Sequence, residues 1–172
     1  VILITQLRMQ KKLHFFHQLQ GADLLSIRIQ EDDFDPGLIY NLVGKDRKDI
    51  GAKVAFTGLV KDFFELDEVT SLYIEHYHSM AKTQLKNICQ AALERWQIKE
   101  IHLVHRVGLL KPGDNIVNLV LASHNRNDVF QGGTFIMDYL KSDAPFWKKE
   151  FNRKGSAWVN QSLDDIQKMD SW

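Results

Sequence analysis

A single cysteine, Cys89, in a chain of 172 residues closes off two classes at once. One thiol cannot build an internal disulfide framework, and it cannot supply a cysteine-based zinc site. Both exclusions fit a reducing, cytoplasmic setting. Net charge is also missing, because 22 Lys+Arg are balanced by 22 Asp+Glu. A neutral chain has no bulk attraction to nucleic acid or to a membrane surface, so any anion site has to be a local cluster. No apolar run reaches the roughly 20 residues that a membrane helix needs. GxGxxG, P-loop and nucleophile-elbow signatures are absent, as are internal repeats and low-complexity tracts. The three prolines, Pro36, Pro112 and Pro145, fall where turns or helix ends are expected.

What remains is a hydrophobic content of 44% with 26% charged residues, which suits one soluble globular domain with a real core. Residues 1–24 are set apart as an N-terminal extension. Val1-Ile2-Leu3-Ile4 is too short for a signal-peptide core, and Lys11 and Lys12 follow it rather than precede it. The domain is expected over residues 25–172. Alternation predicts strands at Ile27–Gln30, Gly51–Val60, Val69–Tyr77 and Ile101–Val107. The almost continuous apolar run Ile116–Ala122 predicts a central strand. Asp35-Pro36-Gly37 opens a short helix over Leu38–Leu42. A four-turn helix is expected from an N-cap at Ser79, burying Ala81, Leu85, Ile88, Cys89, Ala92, Leu93 and Trp96. A second runs from about Asp128 to Ser142, with Val129, Gly133, Ile136, Met137 and Leu140 inward, and Pro145 stops it. Residues 61–68 read as a loop, Lys111-Pro112-Gly113-Asp114 as a tight turn, and Ser156–Trp172 as weakly helical. Strands mixed with two main helices, without strict βαβ alternation, predict an α+β fold with a mixed or antiparallel sheet.

The chemistry concentrates around Lys141 and Lys148, which flank a Pro-aromatic corner, Pro145-Phe146-Trp147, after the apolar stretch Val129 to Leu140. A lysine beside buried apolar surface loses its charge readily and can then act as nucleophile or proton acceptor; a lysine that stays charged beside it holds an anion. Phe130, Thr134, Met137 and Lys141 share one helical face, so Lys141 borders an apolar stripe. A snorkelling lysine that covers the core rim is the competing explanation. At the opposite end, Ser123-His124-Asn125-Arg126-Asn127 joins the central strand to a helix N-terminus, where backbone N–H groups favour anions and Arg126 adds a bidentate fork. Capping by Asn127, with Arg126 in solvent, explains the same residues without a ligand. Fifteen positions separate Arg126 from Lys141, roughly 22 Å along a straight helix. One small ligand cannot touch both on one chain, so a site shared across a dimer is expected. His76 and His78 have no obvious third ligand, and no metal is expected. Arg106 reads as structural, paired with a carboxylate, and Cys89 as inert core. Phe146-Trp147-Lys148-Lys149 with Arg153 and Lys154 is too short a basic patch to argue for nucleic acid in a neutral chain.

Ordered stretches then carry a resemblance. They are Gly51-Ala52-Lys53-Val54-Ala55-Phe56-Thr57-Gly58-Leu59-Val60, Leu72-Tyr73-Ile74-Glu75-His76-Tyr77, His105-Arg106-Val107-Gly108 and Pro112-Gly113-Asp114. Phe135-Ile136-Met137-Asp138-Tyr139-Leu140-Lys141 and Ala144-Pro145-Phe146-Trp147-Lys148-Lys149-Glu150 complete the set. Over about residues 27–160 the chain resembles the large, catalytic subunit family of molybdopterin synthase. The resemblance implies an α/β-hammerhead type of α+β fold and a central homodimer. It also implies a small ubiquitin-like sulfur-carrier subunit at each end, giving a heterotetramer. The carrier's Gly-Gly tail, as a thiocarboxylate, would thread into a pocket. Two sulfurs would pass to cyclic pyranopterin monophosphate, making the dithiolene of molybdopterin without a metal or other cofactor. By the same resemblance Lys141 and Lys148 are the catalytic pair. Arg126 of the other subunit, with Lys61, Asn125 and His124, binds substrate, while Phe56, Met137 and Pro145 lie near the carrier tail. Two positions depart from the family pattern. Lys61 stands where an arginine is usual, keeping the charge and losing the fork. Asn125 stands where a histidine is usual, with His124 beside it as a substitute. The departures leave room for a second reading, a degenerate, non-catalytic module that grips a carrier tail. A third, a small nucleic-acid-binding domain, predicts steeply salt-dependent binding, and none is expected.

Overall fold

The computed structural model describes residues 24–64, 67–160 and 163–172. Apart from Leu24, the expected N-terminal extension lies outside the described residues.

The first element, β1 (Leu25–Gln30), is followed by α1 (Pro36–Leu42), whose start is fixed by its sequence. The Asp35 carboxylate accepts the Leu38 amide at 2.9 Å, and Pro36 supplies a helical φ where no amide is needed. β2 (Ala52–Leu59), β5 (Ile98–Arg106) and β7 (Asn115–Ser123) join β1 in a sheet of order β1-β5-β7-β2. β1 runs parallel to β5, and the β5–β7 and β7–β2 pairs are antiparallel. The sheet is therefore mixed, as expected.

Both faces of β7 are covered, which explains its unbroken apolar run. Val117, Leu119 and Leu121 point into the larger core. That core is closed by α2 (His78–Arg95) and α3 (Arg126–Ser142), the two main helices. Val120 and Ala122 point the other way, against Val104, Ile39 of α1 and Val43 at its C-cap. Cys89 lies in the larger core with no exposure, and burial pushes its thiol up to about 12. Arg106 ion-pairs with Asp33 at 3.2 Å, the structural role expected of it.

The remaining strands make a second, antiparallel sheet: β3 (Phe63–Phe64), β4 (Asp67–His76), β8 (Phe146–Asn152) and β9 (Gly155–Trp158), with β6 (Gly108–Leu110) also on β4. Val60, Leu72, Ile74, Val107 and Leu110 form its core. The turn before β7 is the expected one. The Asp114 amide bonds the Lys111 carbonyl at 2.9 Å, and Gly113 takes φ +86°, which suits glycine. A last helix, α4 (Leu163–Asp170), packs on α3.

Several boundaries differ from expectation. Residues 61–68 are not all loop, since Phe63–Phe64 pairs with the start of β4. Ser79 does not cap α2. The N-cap position is Tyr77, with no side-chain bond, and Ser79 sits in the first turn, where its carbonyl accepts the Thr83 hydroxyl. α3 is capped by Asn125, not Asn127. Ser156–Trp158 belongs to a strand, and only the following segment is helical. His76 ends β4 and His78 begins α2, so the strand expected to run on to Tyr77 stops one residue earlier.

Candidate active site

β2 and α3 both lead away from the Ser123–Arg126 junction. Ala52 pairs with Ser123 and Leu59 with Asn115, while α3 turns back beneath the sheet from Arg126. A groove of about 290 Å³ opens between them, walled by Val54, Leu121, Gly133 and Met137, with Phe56 and Phe130 at its mouth. Phe56 is 44% exposed and Phe130 61%. Large apolar side chains left in water beside a concavity mark a place where something is received. Phe56 and Met137, two of the three residues expected near a carrier tail, thus meet in one groove. Pro145, the third, lies in the short connection between α3 and β8, outside the groove lining.

The groove runs toward the cationic end of the site. Lys141 follows Met137 by one helical turn. Lys61 follows β2 at the same end of the sheet and is exposed. Lys148 is carried by β8, opposite Ile74 of β4, on the inward face shared with Phe146. Its surroundings hold the amine below its ordinary value. Burial is the main cause and the nearby Lys141 adds to it, while Asp165 and Glu150 act in the opposite sense. Lys141 itself has a side chain 52% exposed, and its ammonium pairs with Asp165 of α4 at 3.7 Å. The lowered amine expected at Lys141 is therefore found at the half-buried Lys148. The helix carries Lys141 past the end of the core, whereas strand alternation turns Lys148 inward.

Behind Lys148 stands a group that sequence reasoning took only as part of a strand. His105 is 3% exposed. Its ring lies flat on Phe146, with centroids 3.9 Å apart and planes 2° from parallel. Its Nδ1 is 2.7 Å from the Arg106 carbonyl, so Nδ1 carries the proton and donates. Burial, helped by Lys148 and His76, pushes the imidazole down to about 3, so it stays neutral. Asp165 was also missed. It is 24 positions from Lys141, and no local pattern links the two; the Ser142 hydroxyl bonds the Asp165 carbonyl at 2.9 Å and sets α4 in place.

The far end of α3 is a separate cluster. Asn125 spends both arms of its amide on Asp128: its oxygen accepts the Asp128 amide at 3.1 Å and its nitrogen donates to the carboxylate at 2.8 Å. His124 and Arg126 are exposed. α3 runs without a break to Ser142, so the structure does not bring Arg126 to the lysines of its own chain. Among the described residues no three or more His, Cys, Asp or Glu side chains stand together as metal ligands. His76 and His78 meet edge to face, 5.8 Å between centroids.

Fold and site together define a two-sheet α+β protein in which an apolar groove reaches to one helical turn from Lys141, with Lys148 near that lysine and an exposed cation, Arg126, at the other end of the helix. The MoaE protein family matches over residues 29–143, and the chain belongs to that family. It is 41% identical over 150 residues to a molybdopterin synthase catalytic subunit of Brucella melitensis, covering 86% of this chain and 91% of that one. Among solved structures it is similar to molybdopterin cofactor biosynthesis protein E from Burkholderia multivorans, with a TM-score of 0.72, 38% identity, and coverage of 87% and 97%. A chain from the complex of subunits 1 and 2 of the Helicobacter pylori molybdopterin-converting factor shares the fold, with a TM-score of 0.64 at 19% identity over 81% and 92% of the two chains.

Proposed function

We infer that the chain is the sulfur-transferring, catalytic subunit of a molybdopterin synthase. The observation that carries this is the apolar groove that reaches Met137, one helical turn before the exposed Lys141, with the half-buried Lys148 close to that lysine, in a chain of the MoaE family. The groove accepts the Gly-Gly tail of a small ubiquitin-like carrier. Its thiocarboxylate comes to rest at Lys141, where the anion takes over the ammonium now paired with Asp165. Lys148, its charge weakened by burial, relays a proton as sulfur bonds to the pterin carbon, the carrier's acyl C–S bond breaks, and water takes the acyl group to leave the carrier a carboxylate. Lys61 and Arg126 of the partner subunit hold the phosphate and ring of cyclic pyranopterin monophosphate. No metal or cofactor enters this scheme. The setting is cytoplasmic; no helix of the described residues is long and apolar enough to cross a membrane.

A degenerate module that only grips a carrier is not favoured. Both lysines are present, and the Brucella melitensis relative named a catalytic subunit aligns over 86% of the chain. The substitution at Lys61 keeps a cation at the end of β2.

The shared site has a direct test. Lys141→Ala and Arg126→Ala, each pure, should make no molybdopterin with thiocarboxylated carrier. After subunit exchange at equal amounts, half the dimers are mixed and each carries one intact site. Activity should return to about one quarter of the unsubstituted level. Mixtures that stay inactive while mixed dimers are present by mass spectrometry rule out a site built from both subunits.

A further inference from the structure

Gly132 and Gly133 stand side by side in the middle of α3, where glycine is the least favourable ordinary residue. The two have different reasons. A Cβ on Gly132 would come within 2.4 Å of Ile98 Cδ1, so an alanine there would force the tip of that β5 side chain to shift. A Cβ on Gly133 would meet only Leu121 Cδ1 at 3.6 Å and Val54 Cγ1 at 3.8 Å. Those are ordinary contacts. The fold would accept alanine at 133, with better helix propensity and an apolar void partly filled.

The void is not spare core. Leu121 and Val54 are walls of the groove that also holds Phe56 and Met137, so the missing methyl is open space in that groove. Gly133 lies one turn before Met137 and about two turns before Lys141. A chain end passing over this point delivers its terminal negative charge to Lys141 and Lys61, which is the complementarity that selects an anionic tail over a neutral one. Where neither the helix nor the tail has a Cβ, two backbones can approach closely.

We propose that Gly133 sets the clearance of the groove and so selects carrier tails by size, admitting glycine-like residues above it and rejecting larger ones. It acts as a specificity residue, not a catalytic one. The inference rests on the groove being the seat of the carrier tail.

The test uses the whole chain with two ubiquitin-like carriers, one ending in Gly-Gly and one lacking those two residues. Three versions of the chain are compared: unsubstituted, Gly133→Ala and Gly132→Ala. Gly133→Ala should melt about 2–4 °C higher yet bind the intact carrier roughly tenfold more weakly by calorimetry. It should show a raised KM for the thiocarboxylated carrier and an unchanged affinity for the shortened one. Gly132→Ala should melt lower, as a packing defect does. A Gly133→Ala protein that binds the intact carrier within about twofold of the parent, or that melts lower than the parent, overturns the proposal. If the unsubstituted chain binds both carriers equally, the tail does not occupy the groove and the underlying reading fails instead.

Discussion

Replacing Lys148 by methionine should make the protein more stable and inactive. The amine sits on the inward face of β8, and burial together with Lys141 holds it below its ordinary value of 10.5. Each pKa unit of depression corresponds to about 1.4 kcal/mol that the charged folded state gives up relative to the unfolded chain. Asp165 and Glu150 offset part of this. Methionine keeps the length of the stem and its apolar contacts while removing the charge. Buried charges replaced by apolar residues of similar volume commonly gain about 1–4 kcal/mol, and the partial compensation here places the gain at about 1–2 kcal/mol. In a domain of this size that raises Tm by about 2–8 °C. The sign with pH follows from the depressed pKa. Below the folded pKa both states carry the proton and the full cost is present. Between the folded pKa and 10.5 the unfolded chain binds more protons, so the parent gains stability as pH rises. Above 10.5 the penalty is gone. The advantage of Lys148→Met should therefore be constant at low pH and shrink steadily on the approach to pH 10.5, in urea midpoints measured across the series. A variant less stable than the parent at pH 7, or an advantage that does not change with pH, would refute the assignment of Lys148 as a desolvated, only partly compensated amine. Turnover at background in the stabilised variant would show that stability is given up at this position for chemistry.

Two further predictions concern the support of the site. His105, held down to about 3 against an ordinary 6.5, contributes stability that is present above pH 6.5 and lost as pH falls toward 3. His105→Phe keeps the flat contact with Phe146 and should flatten that acid limb by roughly several kcal/mol; urea midpoints that fall with acid in parallel with the parent would exclude it. Trp172 contacts Trp96 and Phe135 edge to face, and its indole N–H bonds Asp138 at 2.9 Å. Trp172→Ala should cost about 2–4 kcal/mol locally and speed hydrogen exchange in α4 before α3; unchanged exchange across residues 163–172 would show that α4 is held by other contacts.

The parts of the fold that could be seen in the sequence are those whose pattern has one physical cause. β7 shows as an unbroken apolar run because both its faces are covered, and the inward faces of α2 and α3 show as helical periodicity against a single core. The second sheet was harder to see. β8 reads Phe146-Trp147-Lys148-Lys149-Glu150-Phe151-Asn152, and charge at its inward positions hides the alternation. The same cause hid which lysine turns inward: an inward amine has no sequence mark that separates it from one turned outward. The start of α2 was misplaced because Tyr77 cannot cap it, so the only capping residue nearby, Ser79, drew the boundary inward. The distance between Arg126 and Lys141 was legible because helix rise is fixed, and α3 is unbroken between them. Asp165 was not, since its pairing with Lys141 exists only once α4 has docked.

Asn125 shows how the structure changes the weight of a departure from the family pattern. The resemblance implies a histidine at this position, so in the sequence the asparagine looks like a loss of chemistry. In the fold its amide is fully committed to Asp128, through both the helix cap and the carboxylate bond. Turning it toward a ligand would break the cap, at a cost of about 1 kcal/mol, and would leave the buried Asp128 carboxylate short of a donor. In the proposed function, contact with substrate at this end of α3 falls to the exposed neighbours His124 and Arg126, on either side of the cap that Asn125 makes. In the proposed function Asn125 is thus a positioning residue and not one that touches substrate, and the exposed cation at Arg126 is kept.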